Sequence, residues 1–453
     1  MTHLLLAPAG HGKTERIIQR IRQVLAENLL APVIVIVPNS IQANNFRKRL
    51  SVSGGALGAE VHTFHTLYAE LLTRAGRPIP LLLDPVRIRL LRFIVDQLCE
   101  RGEMTYYAAL RAKSGFIAGL RDTIEELKRA RIFPDDFSAS VKGKGARLEE
   151  IALVYSAYQD WLQKQNWADN EGRGWLAAIA LEENASLGAM TRLLCVTGFD
   201  EFNPTQLAVL ALLANRAKET LITLTGDLQH PTRAAHHRFH RAGHTLTSAL
   251  GIQPEAMDPT SMLSRGIASV EAGLFEDVVA SGAKQSPGED DETSIETSSL
   301  PSGRLLRRQE HPPRNDIEFM ECQTRAVEAR AALRWVKARI VRDGLKLTDV
   351  AILARDIEPY RPFLEEVAEE FGVPLHIIGG RSLSENPAVA ALLTLLSLPA
   401  DDWKRRALVD SWRNPYFDFS ELGIDTESAA VLDEISRTGR VVQGLSQWRE
   451  AFG

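Results

Sequence analysis

The most constraining feature of this sequence is a series of short, largely apolar runs separated by segments of helical spacing. Residues 3–7 (HLLLA), 32–38 (PVIVIVP) and 59–64 (AEVHTF) read as strands. Between them, Lys13 to Leu29, the residues after Asn39-Ser40, and the stretch opening with HTLYAELL read as helices. A strand that is apolar on both faces must be covered on both faces. Alternation with helices therefore predicts an α/β fold built on a parallel sheet.

The alternation breaks off and returns. From about Asp84 the spacing is helical throughout, as in VRIRLLRFIVDQLCERG and RLEEIALVYSAYQDWLQKQ, which predicts a helical insertion over 84–185. The sheet domain, begun over 1–83, resumes over 186–281 with strands at 192–198 (RLLCVTG) and 220–227 (TLITLTGD) around the helix PTQLAVLALLANRA. Residues 282–303 are rich in Ser, Gly, Pro and acids and read as a flexible acidic linker. A second α/β domain is expected over 304–385, with strands at 317–322, 350–354 and 373–378 and a helix from Tyr360 to Phe371. Residues 386–453 read as helical, with no closing signal at Gly453, so the chain reads as a piece of something longer.

Composition narrows the function classes. A chain of 453 residues needs more than one core. A formal net charge of −5 argues against a protein basic all over and leaves room for a local basic groove. Cys99, Cys195 and Cys322 lie far apart with no C-x-x-C, which suits a reducing compartment and supplies no metal or iron–sulfur framework. No apolar run approaches the ~20 residues of a membrane span, and the N-terminus enters a strand without a basic leader. The expectation is a cytoplasmic protein without a membrane partner.

Between the first strand and the first helix stands APAGHGKT, residues 7–14, close to the phosphate-loop pattern G-x-x-x-x-G-K-[ST] with Ala7 in place of the first glycine. Such a loop needs inward-pointing amides, a helix N-terminus behind them, and a lysine. Gly10 and Gly12, with Ala9 beside them, let the backbone curl; Lys13 reaches the terminal phosphates; Thr14 is the magnesium ligand. Alanine at the first position costs little if that residue keeps a negative φ. The expected cofactors are ATP and Mg2+.

Three further stretches carry a family resemblance. VHTFHTLYAELL (61–72) resembles the T-F-H motif of UvrD-like superfamily 1 helicases. GFDEFNPTQLAVLALL (198–213) resembles their motif II region in the form found in the AddB chain of AddAB-type helicase–nucleases. Residues 349–398 resemble the start of the second motor domain of AddB-type proteins, with Arg355 in the motif IV position. The order and spacing of the motifs agree as well. The resemblance implies two RecA-like domains, contact with single-stranded DNA or duplex ends, an AddA-type helicase–nuclease partner, and a role in break repair. Active UvrD-like motors carry a glutamine motif ahead of the loop, and none is found here.

The motor chemistry is in doubt on the residues themselves. An ATPase needs an acid for Mg2+ and a glutamate for water, normally directly after a buried strand. After LLCV come Thr197 and Gly198, while Asp200 and Glu201 follow later. Either a bulge makes Asp200 and Glu201 a working catalytic pair, or they are surface residues of a degenerate site. LTGDLQ (224–229) resembles motif III and would put Gln229 near the nucleotide; a strand end capped by a Gly-Asp turn explains it as well. Nothing resembles motif V or VI.

Other constellations read as decoys. Asp122 with Glu126 and Lys128 mimics a nuclease signature but lies in a helical stretch, where residues two apart do not share a face. His236, His240 and His244 could align, but Arg233, Arg238 and Arg241 interleave and would repel a cation. RAKSGF and SVKGKGARL give the insertion basic character, compatible with solvated helix faces or with contact to a DNA backbone. Two rivals remain to a helicase-like scaffold: a competent DNA-dependent ATPase, and a phosphate-loop regulator with no DNA role.

Overall fold

The computed structural model describes residues 1–52, 56–257 and 320–453. The chain divides into two units, which among these residues are 1–257 and 320–453. The first opens with β1 (Thr2–Ala7), α1 (Lys13–Glu27), β2 (Val33–Ile36), α2 (Ser40–Ser51), β3 (Ala59–His62) and α3 (Phe64–Arg74). Five helices follow: α4 (Asp84–Glu100), α5 (Ser114–Arg129), α6 (Pro134–Val141), α7 (Ala146–Gln165) and α8 (Asn170–Glu183). The unit closes with β4 (Leu193–Thr197), α9 (Pro204–Arg216), β5 (Glu219–Thr225), α10 (His237–Leu250) and β6 (Pro254–Ala256).

The six strands form one wholly parallel sheet in the order β3-β2-β4-β5-β1-β6. The α/β class expected from the sequence is the one adopted. Strand alternation sorts the side chains into two cores. Leu4, Ile34, Ile36, Leu194, Val196 and Ile222 pack on one face with residues of α3, α8, α9 and α10. Leu5, Val33, Val35, Leu193, Cys195 and Leu221 pack on the other with α1 and α2. Strand β3 ends two residues earlier than the run AEVHTF suggests. Thr63 accepts from Thr66 N as a helix N-cap, so Phe64 becomes the first residue of α3 instead of a strand residue.

Helices α4 to α7 enclose their own core around Leu91, Val95, Ile117, Ile124, Tyr155 and Tyr158. The chain enters and leaves this lobe at one point: Leu82 N donates to Ala168 O at 2.8 Å, and Ala168 N to Pro80 O at 3.1 Å. Helix α8 serves both cores, with Trp175 in the lobe and Ala177, Ala178 and Leu181 against the sheet. At Gly174 a Cβ would come within 2.9 Å of both Thr205 Cγ2 and Tyr68 Cε2, so only glycine lets α8 lie this close to α3 and α9.

In the second unit lie α11 (Arg325–Asp343), α12 (Arg361–Phe371), α13 (Pro387–Ser397), α14 (Arg405–Trp412), α15 (Thr426–Thr438) and α16 (Leu445–Phe452). Ala329 and Leu333 of α11 pack on Leu364, Val367 and Ala368 of α12. The strands expected at 350–354 and 373–378 do not form here: the described residues of this unit contain no ladder. A parallel strand takes its hydrogen bonds from strands remote in sequence. With none supplied, Leu353 stands 91% exposed. The expected strand at 317–322 and the linker at 282–303 lie wholly or mostly outside the described residues.

Candidate nucleotide site

The phosphate loop lies at the carboxyl end of β1, the edge of a parallel sheet where ligands of such folds gather. Ala7 is the last residue of that strand and has no positive φ, which is why the missing glycine costs nothing there. Gly10 and Gly12 have φ of 72° and 77°, where a side chain would be strained. Among the described residues no acceptor meets the amides of Gly10, Gly12 and Thr14. The Lys13 ammonium folds over the loop and donates to Ala7 O at 2.9 Å and Pro8 O at 2.7 Å. His11 Nδ1 donates to Ala9 O at 2.9 Å. The loop thus offers a curled row of donors, a lysine, and the partly buried Thr14 at the head of a fifteen-residue helix.

The neighbouring strands close around it. Gly226, just after β5, donates its amide to the same Ala7 carbonyl at 3.1 Å. At the end of β4, Thr197 is buried and accepts from the Thr223 hydroxyl at 2.8 Å. Gly198 has φ 86°, and a Cβ there would sit 2.5 Å from Gln42 Oε1. Phe199 and Phe202 then turn inward, stacked with centroids 4.9 Å apart and edge-on to Phe64. Asn203 caps α9 in a reciprocal box with Gln206.

Between those two anchored rings Asp200 and Glu201 occupy the loop tip. Asp200 is half-buried and ion-paired to Arg238 of α10; Glu201 is exposed. Gln229 is also exposed, and its amide donates to Asp227 Oδ1 at 2.8 Å. Burial pushes the Asp227 carboxyl up, but the His230 ring and the amides of Gln229 and His230 outweigh it and hold the group below the usual range. Arg355 belongs to the second unit, where it is exposed and lines a cleft of about 550 Å3 with Arg325 and Tyr360.

The remaining constellations do not assemble. His236 is buried in a short turn before α10, while His240 and His244 are exposed on it. No group of three or more His, Cys, Asp or Glu side chains fit to hold a metal occurs among the described residues. Asp122 is exposed and paired to Arg121, whereas Lys128 is fully buried. Lys128 Nζ instead donates to Asp169 Oδ2 at 2.8 Å, over the rings of Tyr158 and Trp175. Sequence reasoning missed this pair and the Arg238 contact, since both join residues about forty positions apart with no local signal.

The ADDB N-terminal family model matches residues 4–257. The B chain of the ATP-dependent helicase/deoxyribonuclease of Moorella thermoacetica is 26% identical over 427 residues, covering 88% of this chain and 34% of that protein. The protein of the same name from Symbiobacterium thermophilum is 24% identical over 475 residues, covering 98% and 38%. That of Bacillus subtilis is 24% identical over 435 residues, covering 89% and 34%. The chain therefore spans little more than a third of the length of these relatives. No helix among the described residues is long and apolar enough to cross a membrane.

Proposed function

The chain belongs to the ADDB N-terminal family, and from that premise we propose that it is the helicase-like part of an AddB-type component of a DNA end-processing helicase–nuclease. In this reading it binds ATP and single-stranded DNA or duplex ends in the cytoplasm, beside an AddA-type partner, during break repair. The motor has lost its hydrolytic chemistry. Residues 304–385 correspond in this reading to the start of its second motor domain, which carries Arg355, and Gln229 of the first domain is a further candidate for nucleotide contact.

The residues present fit MgATP. The amides of Gly10 and Gly12 and the Lys13 ammonium form a donor set for phosphate oxygens, with Ala9 shaping the curl. Thr14 supplies a hydroxyl for magnesium. Bound nucleotide would supply binding energy and charge at the sheet edge. Hydrolysis needs carboxylates at the carboxyl end of β4, and the single observation carrying the degenerate reading is that Thr197, bonded to Thr223, occupies that place. Asp200 and Glu201 sit beyond Phe199, one bound to Arg238 and the other turned to solvent. A displacement of even ~1 Å is costly in catalysis.

The test is phosphate release from MgATP with and without a single-stranded oligonucleotide, alongside binding of a fluorescent ATP analogue. Binding that depends on Lys13, without DNA-stimulated turnover, supports the reading. Stimulated turnover abolished by Asp200→Asn would establish the competent ATPase instead.

A further inference from the structure

The helical lobe carries a second feature, remote in sequence from the phosphate loop. The turn between α6 and α7 reads Lys142-Gly143-Lys144-Gly145, with φ of 76° and 105° at its glycines. The Gly143 amide donates to Glu149 Oε1 at 2.6 Å. The next residue, Glu150, is buried and holds the segment before α5: Tyr106 N donates to its Oε1 at 2.6 Å and Tyr107 N to its Oε2 at 2.9 Å. One turn of α7 therefore fixes both the Lys142–Lys144 turn and the Tyr106 backbone.

What this anchoring presents is an exposed aromatic ring whose own segment and whose anchoring turn both carry cations. Tyr106 is 58% exposed, propped edge-on against Tyr107, which packs on Phe116 with centroids 4.9 Å apart. Lys142, Lys144 and Arg147 are exposed on the turn and at the start of α7, and Arg111 and Lys113 on the segment leading into α5. Among the described residues none of these five cations has an ion-pair partner. Glu150 accepts backbone amides on both of its oxygens, and the exposed Glu149 on one. The N-terminus of the twenty-residue α7 has no side-chain cap, and Glu149 stands in its first turn.

We infer that Tyr106 with Arg111, Lys113, Lys142, Lys144 and Arg147 forms a contact surface for a single-stranded nucleic acid, the cations meeting phosphates and the ring stacking on a base. Unpaired cations recognise a phosphodiester chain of any form. An exposed ring on a backbone held by a buried carboxylate selects unstacked bases, because a duplex hides its base faces. The surface deepens the DNA-handling role proposed above and is independent of nucleotide at Lys13.

The experiment is fluorescence anisotropy of the full chain with a labelled oligothymidylate across a salt series. Lys142→Glu/Lys144→Glu/Arg147→Glu should weaken binding and make the log–log salt slope shallower by about two, since each single-strand phosphate contact contributes about 0.7. Tyr106→Ala should cost about five- to a hundredfold with the slope unchanged. Unaltered melting temperatures show that both variants are folded. Binding unaffected by either variant overturns this surface while leaving the DNA-handling role intact; no oligothymidylate binding at all sinks both. Loss with the charge variant alone, equal affinity for duplex, or equal competition by polyglutamate also overturns the single-strand assignment.

Discussion

Thr223 donates its hydroxyl to Thr197 at 2.8 Å where β4 leaves the sheet, so two neutral side chains satisfy one another at the place a motor reserves for a magnesium-binding acid. Neither Asp200 nor Glu201 is needed for nucleotide to bind if this is the working arrangement. Asp200→Asn or Glu201→Gln should leave MgATP affinity within about twofold, as expected for an exposed ion pair and a solvated carboxylate. Lys13→Ala should lower it tenfold or more, the usual cost of a lost charge-assisted phosphate bond. Titration with a fluorescent ATP analogue measures both.

Gly198 holds the chain between Thr197 and the buried Phe199 at φ 86°. Gly198→Ala should cost about 1–2 kcal/mol from the left-handed conformation alone, and more from the crowding at Gln42 Oε1. Denaturant unfolding reads the loss. An unchanged midpoint would show that the loop relaxes freely and that the two rings do not pin it.

The lobe stands on a buried ion pair. Lys128→Ala leaves Asp169 as an uncompensated charge and should destabilise by about 3–5 kcal/mol. Lys128→Met with Asp169→Asn should recover most of that loss, because asparagine still caps α8 by accepting from Gly172 N. A single variant as stable as the double would remove the pair from the account.

Acid should act through the same residue. Burial raises the Asp169 carboxyl, but the Lys128 ammonium, with bonds from Lys128, Gly172 and Tyr158, wins and holds it below its ordinary value. A depressed carboxyl contributes stability that is fully present above the unfolded value near 3.9 and lost as pH falls through the folded one. The wild-type melting temperature should therefore drop below about pH 4 more steeply than that of the Lys128→Met/Asp169→Asn variant, measured across that range.

Glu150 makes a further prediction. Its two oxygens take three successive amides, Thr105, Tyr106 and Tyr107. Glu150→Ala should cost about 1–3 kcal/mol and release the segment, read as faster amide hydrogen exchange at those three residues. Exchange unchanged from wild type would mean that Met104 and Tyr107 packing alone orders it.

Much of this architecture was legible in the residues. Val33–Ile36 is apolar on both faces and could only be an inner parallel strand, and it lies fully buried between β3 and β4. The curl at Gly10 and Gly12 followed from the phosphate-loop pattern of residues 7–14. The end of β3 did not, because the capping hydroxyl of Thr63 outcompetes the β preference of Phe64. At Ile352 and Leu353 an apolar run predicted a strand, yet a run carries no information about whether a partner is at hand. The contacts of Asp200 with Arg238 and of Lys128 with Asp169 arise only once distant helices meet.

The hydrogen-bonded crossing at Leu82 and Ala168 makes the lobe a closed excursion whose two ends already touch. Ring closure across so short a gap adds little entropic burden, so the sheet does not depend on what the excursion contains. Replacing residues 83–167 with a brief turn should leave β1 to β6 and the phosphate loop folded. By the same logic the lobe can drift, enlarge or be exchanged between descendants without disturbing the frame that carries it.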